Sequence, residues 1–238
     1  MILGNKSILK HASGTVGNLV FRQYNGKTIV CLRPERYSMP MDEESISRRG
    51  KFKMASLVAH CINKIPHAKK LWAEEAGYRK SVIGTIFKSV YPYVLHDDVG
   101  DNISVYPFSN FNINNENIKT GKSCVTLLLD SKTFYGLPGN TEYIQAAGLV
   151  VLRDRISVNV ADIKLLPFEG PCLRFDKSKP AELNIFIPGS PEANILDNWK
   201  HLTYYDSYDS HTFFIAFAAL DGNKMVVSGS DTFNFRPR

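Results

Sequence analysis

The sequence holds few of the features that identify a chemistry. It has four cysteines, Cys31, Cys61, Cys124 and Cys172, and no CxxC pair, which argues against a zinc knuckle and against a disulfide-stapled miniature domain. Reduced, mostly buried thiols acting as small core hydrophobes are expected. No stretch approaches the run of about 18 uncharged apolar residues that a membrane-spanning helix needs. The opening MILGNKSILK has no continuous apolar segment ahead of a small-residue cleavage site, so classical export is not expected. Low-complexity tracts and internal repeats are also missing.

Catalytic and metal-binding patterns are equally scarce. The histidines, His11, His60, His67, His96, His201 and His211, never fall in an HExxH or HxH arrangement. His60 precedes Cys61 on an expected helix, where neighbours point about 100° apart and do not easily share a metal. No GxSxG elbow occurs. The segment ENIKTGKS, 116–123, ends like a phosphate-binding loop. It carries Glu116 where that loop needs glycine, and CVTLLLD follows it, a strand by composition where the phosphate site needs a helix. HDDVGDN, 96–102, has the carboxylate density of a cation loop without EF-hand spacing, and reads as a solvated turn. No catalytic residue, metal ligand or cofactor is expected.

What the chain does have is enough apolar residue, 44% of 238, to fill one large core or two modest ones. Its charge is unevenly spread. Residues 1–98 hold 16 Lys and Arg against 8 Asp and Glu, while 99–238 hold 13 against 15. That split points to two regions, 1–98 and 99–238, with a boundary near HDDVGDN.

The stretch GTVGNLVFRQYNGKTIVCLRP, 14–34, reads as a β-hairpin. TVGNLVFRQY and KTIVCLR flank Asn25-Gly26, the strongest short hairpin signal because both turn positions need positive φ. Alternation puts Leu19 and Phe21 on one face and Val20 and Tyr24 on the other, while the return strand offers Ile29 and Cys31 against Thr28, Val30 and Leu32. Both faces are apolar. A two-stranded ribbon is marginal in water, so this one needs cover from the rest of the chain or from a second subunit. Val16, Leu19, Val20, Phe21, Tyr24, Ile29, Val30 and Leu32 are the candidate assembly residues.

Asp42 can cap a helix through EESISRRGKFKMASLVAHCINKI, in which Ile46, Phe52, Met54, Leu57, Val58, Cys61 and Ile62 recur at helical spacing. Pro66 opens a second helix, PHAKKLWAEEA, stopped by Gly77, and YRKSVIGTIFKSVYPYVL makes a third. Arg48, Arg49, Lys51 and Lys53, followed by Lys64, Lys69 and Lys70, are candidate phosphate contacts. Spaced basic residues are also what an amphipathic helix shows to water, and Glu43 and Glu44 lie close enough to offset them.

From about residue 100 the pattern changes to short β-rich runs: ISVYPF, SCVTLLLD, GLVVLRD, ISVNVADIKLL, ELNIFI, TFFIAFAAL and KMVVSGS. The last two are joined by the tight turn Asp221-Gly222-Asn223. The expected fold is α+β: a β-hairpin and about three helices followed by an antiparallel β-sandwich, immunoglobulin-like or similar. YYDSYDS, 204–210, offers Tyr204, Tyr205 and Tyr208 to a sugar or peptide, or lays them on the sandwich as a polar loop.

The combination of SGTVGNLVFRQYNGKTIVCLRP, a helix with SRRGKFKMAS, and a β region ending in FFIAFAALDGNKMVVSGS resembles a family of uncharacterised Bacteroidetes proteins, some of phage or prophage origin. The likeness spans 13–60 and 212–230. Arg48-Arg49-Gly50-Lys51-Phe52 stands where that family more often has a Gln-Arg pair. The family supplies no activity to carry over. The resemblance implies a structural component of a virion or mobile element. The resulting expectation is a non-enzymatic structural protein, in a virion or the cytoplasm, that oligomerises with itself or with other particle proteins through its N-terminal hairpin. The alternatives are a nucleic-acid-binding protein using the basic helices and a carbohydrate- or peptide-binding β-sandwich. No membrane partner is expected.

Overall fold

The computed structural model describes residues 12–24, 26–33, 41–78, 80–108, 110–114, 118–120, 124–129, 133–153, 163–176, 181–186 and 210–236. The chain divides into two compact units, Met1–Asp42 and Glu43–Arg238.

The first unit holds a three-stranded antiparallel meander of β1 (Gly14–Val16), β2 (Leu19–Tyr24) and β3 (Lys27–Leu32). Tyr24 pairs with Lys27, so the β2–β3 turn has the two-residue length that Asn25-Gly26 predicts, and Gly26 takes the left-handed φ of 74° that this turn favours. The segment 15–24, expected as one strand, is divided at Gly17-Asn18 into a further hairpin. Val16 pairs with Leu19 across it, and Gly17 has a φ of 56°. Gly-Asn is itself a two-residue turn signal, masked here by the apolar residues on either side.

The second unit opens with α1 (Glu43–Asn63), α2 (Pro66–Ala76) and α3 (Val82–Val90). Pro66 occupies the first turn of α2, where its missing N–H costs nothing, and Gly77 closes the helix at a φ of 66°. The third helix begins later than expected because the Ser81 hydroxyl caps it, accepting from the Gly84 N–H at 3.3 Å. It tightens into a 3-10 turn over Tyr91–Tyr93, where Pro92 cannot continue the α pattern.

The strands that follow are β4 (Asn112–Ile113), β5 (Ile118–Thr120), β6 (Cys124–Leu129), β7 (Phe134–Tyr135), β8 (Tyr143–Arg153), β9 (Lys164–Arg174), β10 (Ala181–Phe186), β11 (Ser210–Leu220), β12 (Val226–Gly229) and β13 (Phe233–Phe235). The central sheet has the order β12-β11-β8-β9, with β13 also on β11, and every pairing in it is antiparallel. A smaller sheet has the order β10-β6-β5, and β4 pairs with β7.

The central sheet is buried on both faces. Ala147, Leu149 and Val151 of β8, with Phe214, Ala216, Ala218 and Leu220 of β11, share one apolar core with Met54, Val58, Ile62, Leu71, Trp72, Ile86 and Val90 of the helices. The alternate residues, Ile144, Ala146, Val150, Leu152, Phe213, Ile215, Phe217 and Ala219, share a second core with Leu127 of β6 and Leu183 of β10. The α+β class therefore holds, and the shared β6–β10 core is compatible with a sandwich.

The helices and the central sheet share one core on either side of residue 98, and the two compact units divide between Asp42 and Glu43. The helices cannot be separated from the sheet, because each would expose the apolar face that the other covers. HDDVGDN is fastened down: Arg153 Nε donates to Asp98 Oδ1 at 2.6 Å, and Asn234 donates to the Asp101 carbonyl. ISVYPF, expected as a strand, is irregular, with Ile103, Val105 and Tyr106 buried. The Trp72 indole N–H donates to the Val105 carbonyl at 2.8 Å, and the Val105 N–H donates to the Thr232 hydroxyl. These bonds satisfy backbone groups that a ladder would otherwise serve.

Candidate functional site

Two surfaces gather the residues that the sequence singles out. The first is the N-terminal meander. Its register places Leu19, Phe21 and Gln23 on one face with Leu32, Val30 and Thr28. Phe21, Thr28 and Val30 are buried, and Val20 and Ile29 are half-buried. Val16, Leu19, Tyr24 and Leu32 are exposed, at 70%, 40%, 66% and 74%. Because Val16 opposes Leu19 and Leu19 opposes Leu32, three exposed apolar side chains form one row across all three strands. Near the other end of the ribbon that face is polar, with Gln23 Nε2 donating to Thr28 Oγ1 at 2.7 Å. Beyond its pairing with β2, the outer edge of β3 has no strand neighbour among the described residues.

The second surface lies on α1 and α3. Arg48, Arg49, Phe52 and Lys53 are related by three- and four-residue steps and share one helix face. Met54, Val58, Cys61 and Ile62 are buried as their spacing predicts. Ile46, Phe52 and Leu57, expected with them, remain exposed because they lie off the stripe that meets the sheet. Phe52 instead leads an aromatic chain. Its ring centroid is 4.9 Å from that of Phe87, which is 5.4 Å from Tyr91, and Lys51 Nζ sits 5.1 Å over the Tyr91 ring. Arg48, Arg49, Phe52, Lys53 and Tyr91 line an open depression of about 360 Å³.

Among the basic residues, Arg48 is 3.8 Å from Glu44 in an exposed i,i+4 pair, an arrangement worth at most about 1 kcal/mol. Lys64, Lys69 and Lys70 are not among the lining residues. Sequence reasoning missed Phe87 and Tyr91. Their i,i+4 spacing in FKSVY was the available signal, but the apolar core supplied a simpler reason for aromatics there. Gly50 explains the close approach of α1 to the chain after α3, since a Cβ there would lie 2.5 Å from the His96 carbonyl oxygen.

The cysteines follow their positions. Cys61 is buried and donates to the Leu165 carbonyl at 3.3 Å, Cys172 is half-buried, and Cys31 is exposed, contrary to expectation, because it lies on the outer strand of the small meander. The side chain of Cys124 lies outside the described residues. Burial pushes the Cys61 thiol up to about 11 against the opposing charge of Lys64, so it is a neutral thiol at neutral pH and a poor nucleophile. Burial, aided by the charge of Glu169, holds the Tyr106 hydroxyl protonated far above its ordinary range.

A native thiol that holds its proton more tightly than the unfolded one stabilises below pH 9 and loses that contribution as pH rises toward about 11. Urea unfolding at pH 8 and at pH 10.5 should differ by about 2 kcal/mol through this group. Cys61→Ala should remove that share of the alkaline loss. An unchanged slope in the variant would assign the loss elsewhere.

Among the described residues no group of three or more His, Cys, Asp or Glu is placed to hold a metal ion, and no helix is long and apolar enough to cross a membrane. Ile118–Thr120 is a strand, and β6 follows it, so the segment resembling a phosphate loop is not succeeded by a helix. Tyr204, Tyr205 and Tyr208 lie outside the described residues, as do His11 and His201. Comparison with protein-family models, curated proteins and solved structures finds no match to this chain.

Proposed function

We propose that the protein is a non-enzymatic assembly component, of the virion-like kind that its sequence resemblance implies, and that it associates with a second copy of itself through the N-terminal meander. The observation that supports this most is the exposed cross-strand row Val16–Leu19–Leu32 in a unit of 42 residues. Phe21 and Val30 are the buried apolar side chains among that unit's described residues. A three-stranded meander needs an apolar face packed against something for independent stability, and the exposed row is available for such contact. Units this small usually depend on a metal, disulfides or association.

A second copy supplies that contact most directly. Edge-to-edge pairing along β3 extends the sheet by main-chain hydrogen bonds, and the Leu32 ends add apolar area. Light scattering at micromolar concentration should show a dimer or larger species that barely responds to salt. Leu32→Asp should weaken association by about 30-fold, the effect of removing an interface hot spot. It should leave the melting temperature of the second unit in place. A wild-type monomer, or a Leu32→Asp protein that associates as the wild type does, would refute the assignment.

A further inference from the structure

The α1–α3 surface carries a function that the meander does not. An exposed aromatic ring flanked by four cations offers a planar anionic ligand both a stacking face and charge complementarity. Phe52 is 59% exposed although its ring meets Phe87, so much of its surface is accessible. Arg48, Arg49 and Lys53 surround it on the same helix face, and Lys51 extends the positive charge over Tyr91. The surface is therefore a stacking platform rimmed by cations, the combination that binds unpaired bases and their phosphates together.

We propose that the Phe52–Phe87–Tyr91 surface, with Arg48, Arg49, Lys51 and Lys53, binds single-stranded nucleic acid. A base stacks on Phe52, and the adjoining phosphates meet the basic side chains. A duplex fits less well, because its base faces are already stacked and only its phosphates remain for α1. An acidic peptide without aromatic residues would meet the positive charge but has no ring to stack on Phe52. The depression of about 360 Å³ is shallow and open to solvent, as a passing strand requires. The exposed Glu44 pairs with Arg48 and yields readily, since the pair is weak in water.

Fluorescence anisotropy of labelled oligodeoxythymidylate with the full chain tests this. Binding should be saturable, and log affinity should fall against log salt with a slope between about −2 and −3, as three or four phosphate contacts to a single strand require. Phe52→Ala should weaken binding about tenfold, while Phe52→Trp should keep it. Lys53→Gln should reduce the slope by about 0.7. Both positions are exposed, and unchanged circular dichroism will show that the variants fold. No binding, equal binding of a duplex of the same length or of polyglutamate, or a Phe52→Ala protein that binds as the wild type would each overturn the proposal.

Discussion

Gly148→Ala should cost about 3 kcal/mol or more of unfolding free energy, and Gly148→Val should prevent folding. Gly148 lies in the middle of β8, opposite Ile215 of β11 and Phe168 of β9. A Cβ added there would run into the Phe214 carbonyl oxygen, which belongs to the sheet backbone and cannot rotate away. It would also lie 2.9 Å from Cε1 of Phe168, whose ring covers the glycine and is 8% exposed. The backbone clash and the ring contact cannot be relieved by one movement, because β8 is held by strands on both sides. Gly139→Ala is the control. Nothing lies within 4 Å of a Cβ at that position, so its effect should stay within about 0.5 kcal/mol. Urea unfolding of the two variants measures both. Equal stability of Gly148→Ala and the wild type would mean that β8 and β11 do not approach as closely as described.

The same strand shows what was legible in the sequence. IQAAGLVVL is apolar at nearly every position, which is the mark of a strand buried on both faces. Read that way, β8 already calls for two covering layers, and the helices are the nearest candidates for one of them. The boundary expected near residue 98 rests on the charge split and on the acidic and glycine residues of HDDVGDN, and does not use this pattern. The helices themselves were legible because Pro66 and Gly77 punctuate the chain and Met54, Val58 and Ile62 repeat at helical spacing. β9 was harder. KLLPFEGPCLR carries Pro167, Gly170 and Pro171, which interrupt any strand pattern. An edge position tolerates them, and β9 pairs with β8 alone in the central sheet and slips register between Gln145 and Ala147.

Of the two surfaces, the meander face was readable from Asn25-Gly26 and alternation. Its exposed row was not, since the Gly17-Asn18 turn that brings Val16 beside Leu19 was hidden inside an apparent strand. The four basic residues of α1 were visible as charge. Phe87 and Tyr91, which extend Phe52 into the aromatic chain that distinguishes those basic residues from a solvated helix face, come from α3 and the turn after it, at least 35 residues further along, and only packing brings them there.

Asp98→Ala should destabilise the protein by about 3 kcal/mol, because it strands a guanidinium that is mostly withdrawn from water. Arg153 is 15% exposed and Asp98 33%. Besides the Asp98 bond, Arg153 donates from Nη1 to Thr212 Oγ1 at 2.5 Å and from Nη2 to the Val99 carbonyl at 3.5 Å. Asp98 Oδ1 also accepts from the Val99 N–H at 2.6 Å, so one carboxylate oxygen holds both the loop and the end of β8. Asp98→Asn keeps an acceptor at that point and should cost about half as much. Arg153→Met, combined with Asp98→Ala, removes the stranded charge while keeping much of the packed stem. The double variant should therefore be more stable than Asp98→Ala alone, giving a coupling energy of about 1–3 kcal/mol in a double-mutant cycle. Additive losses would mean that water already serves both groups. A large coupling would identify the carboxylate run in HDDVGDN as the clasp that joins the helical layer to the sheet, where its charge pattern alone reads as a solvated turn.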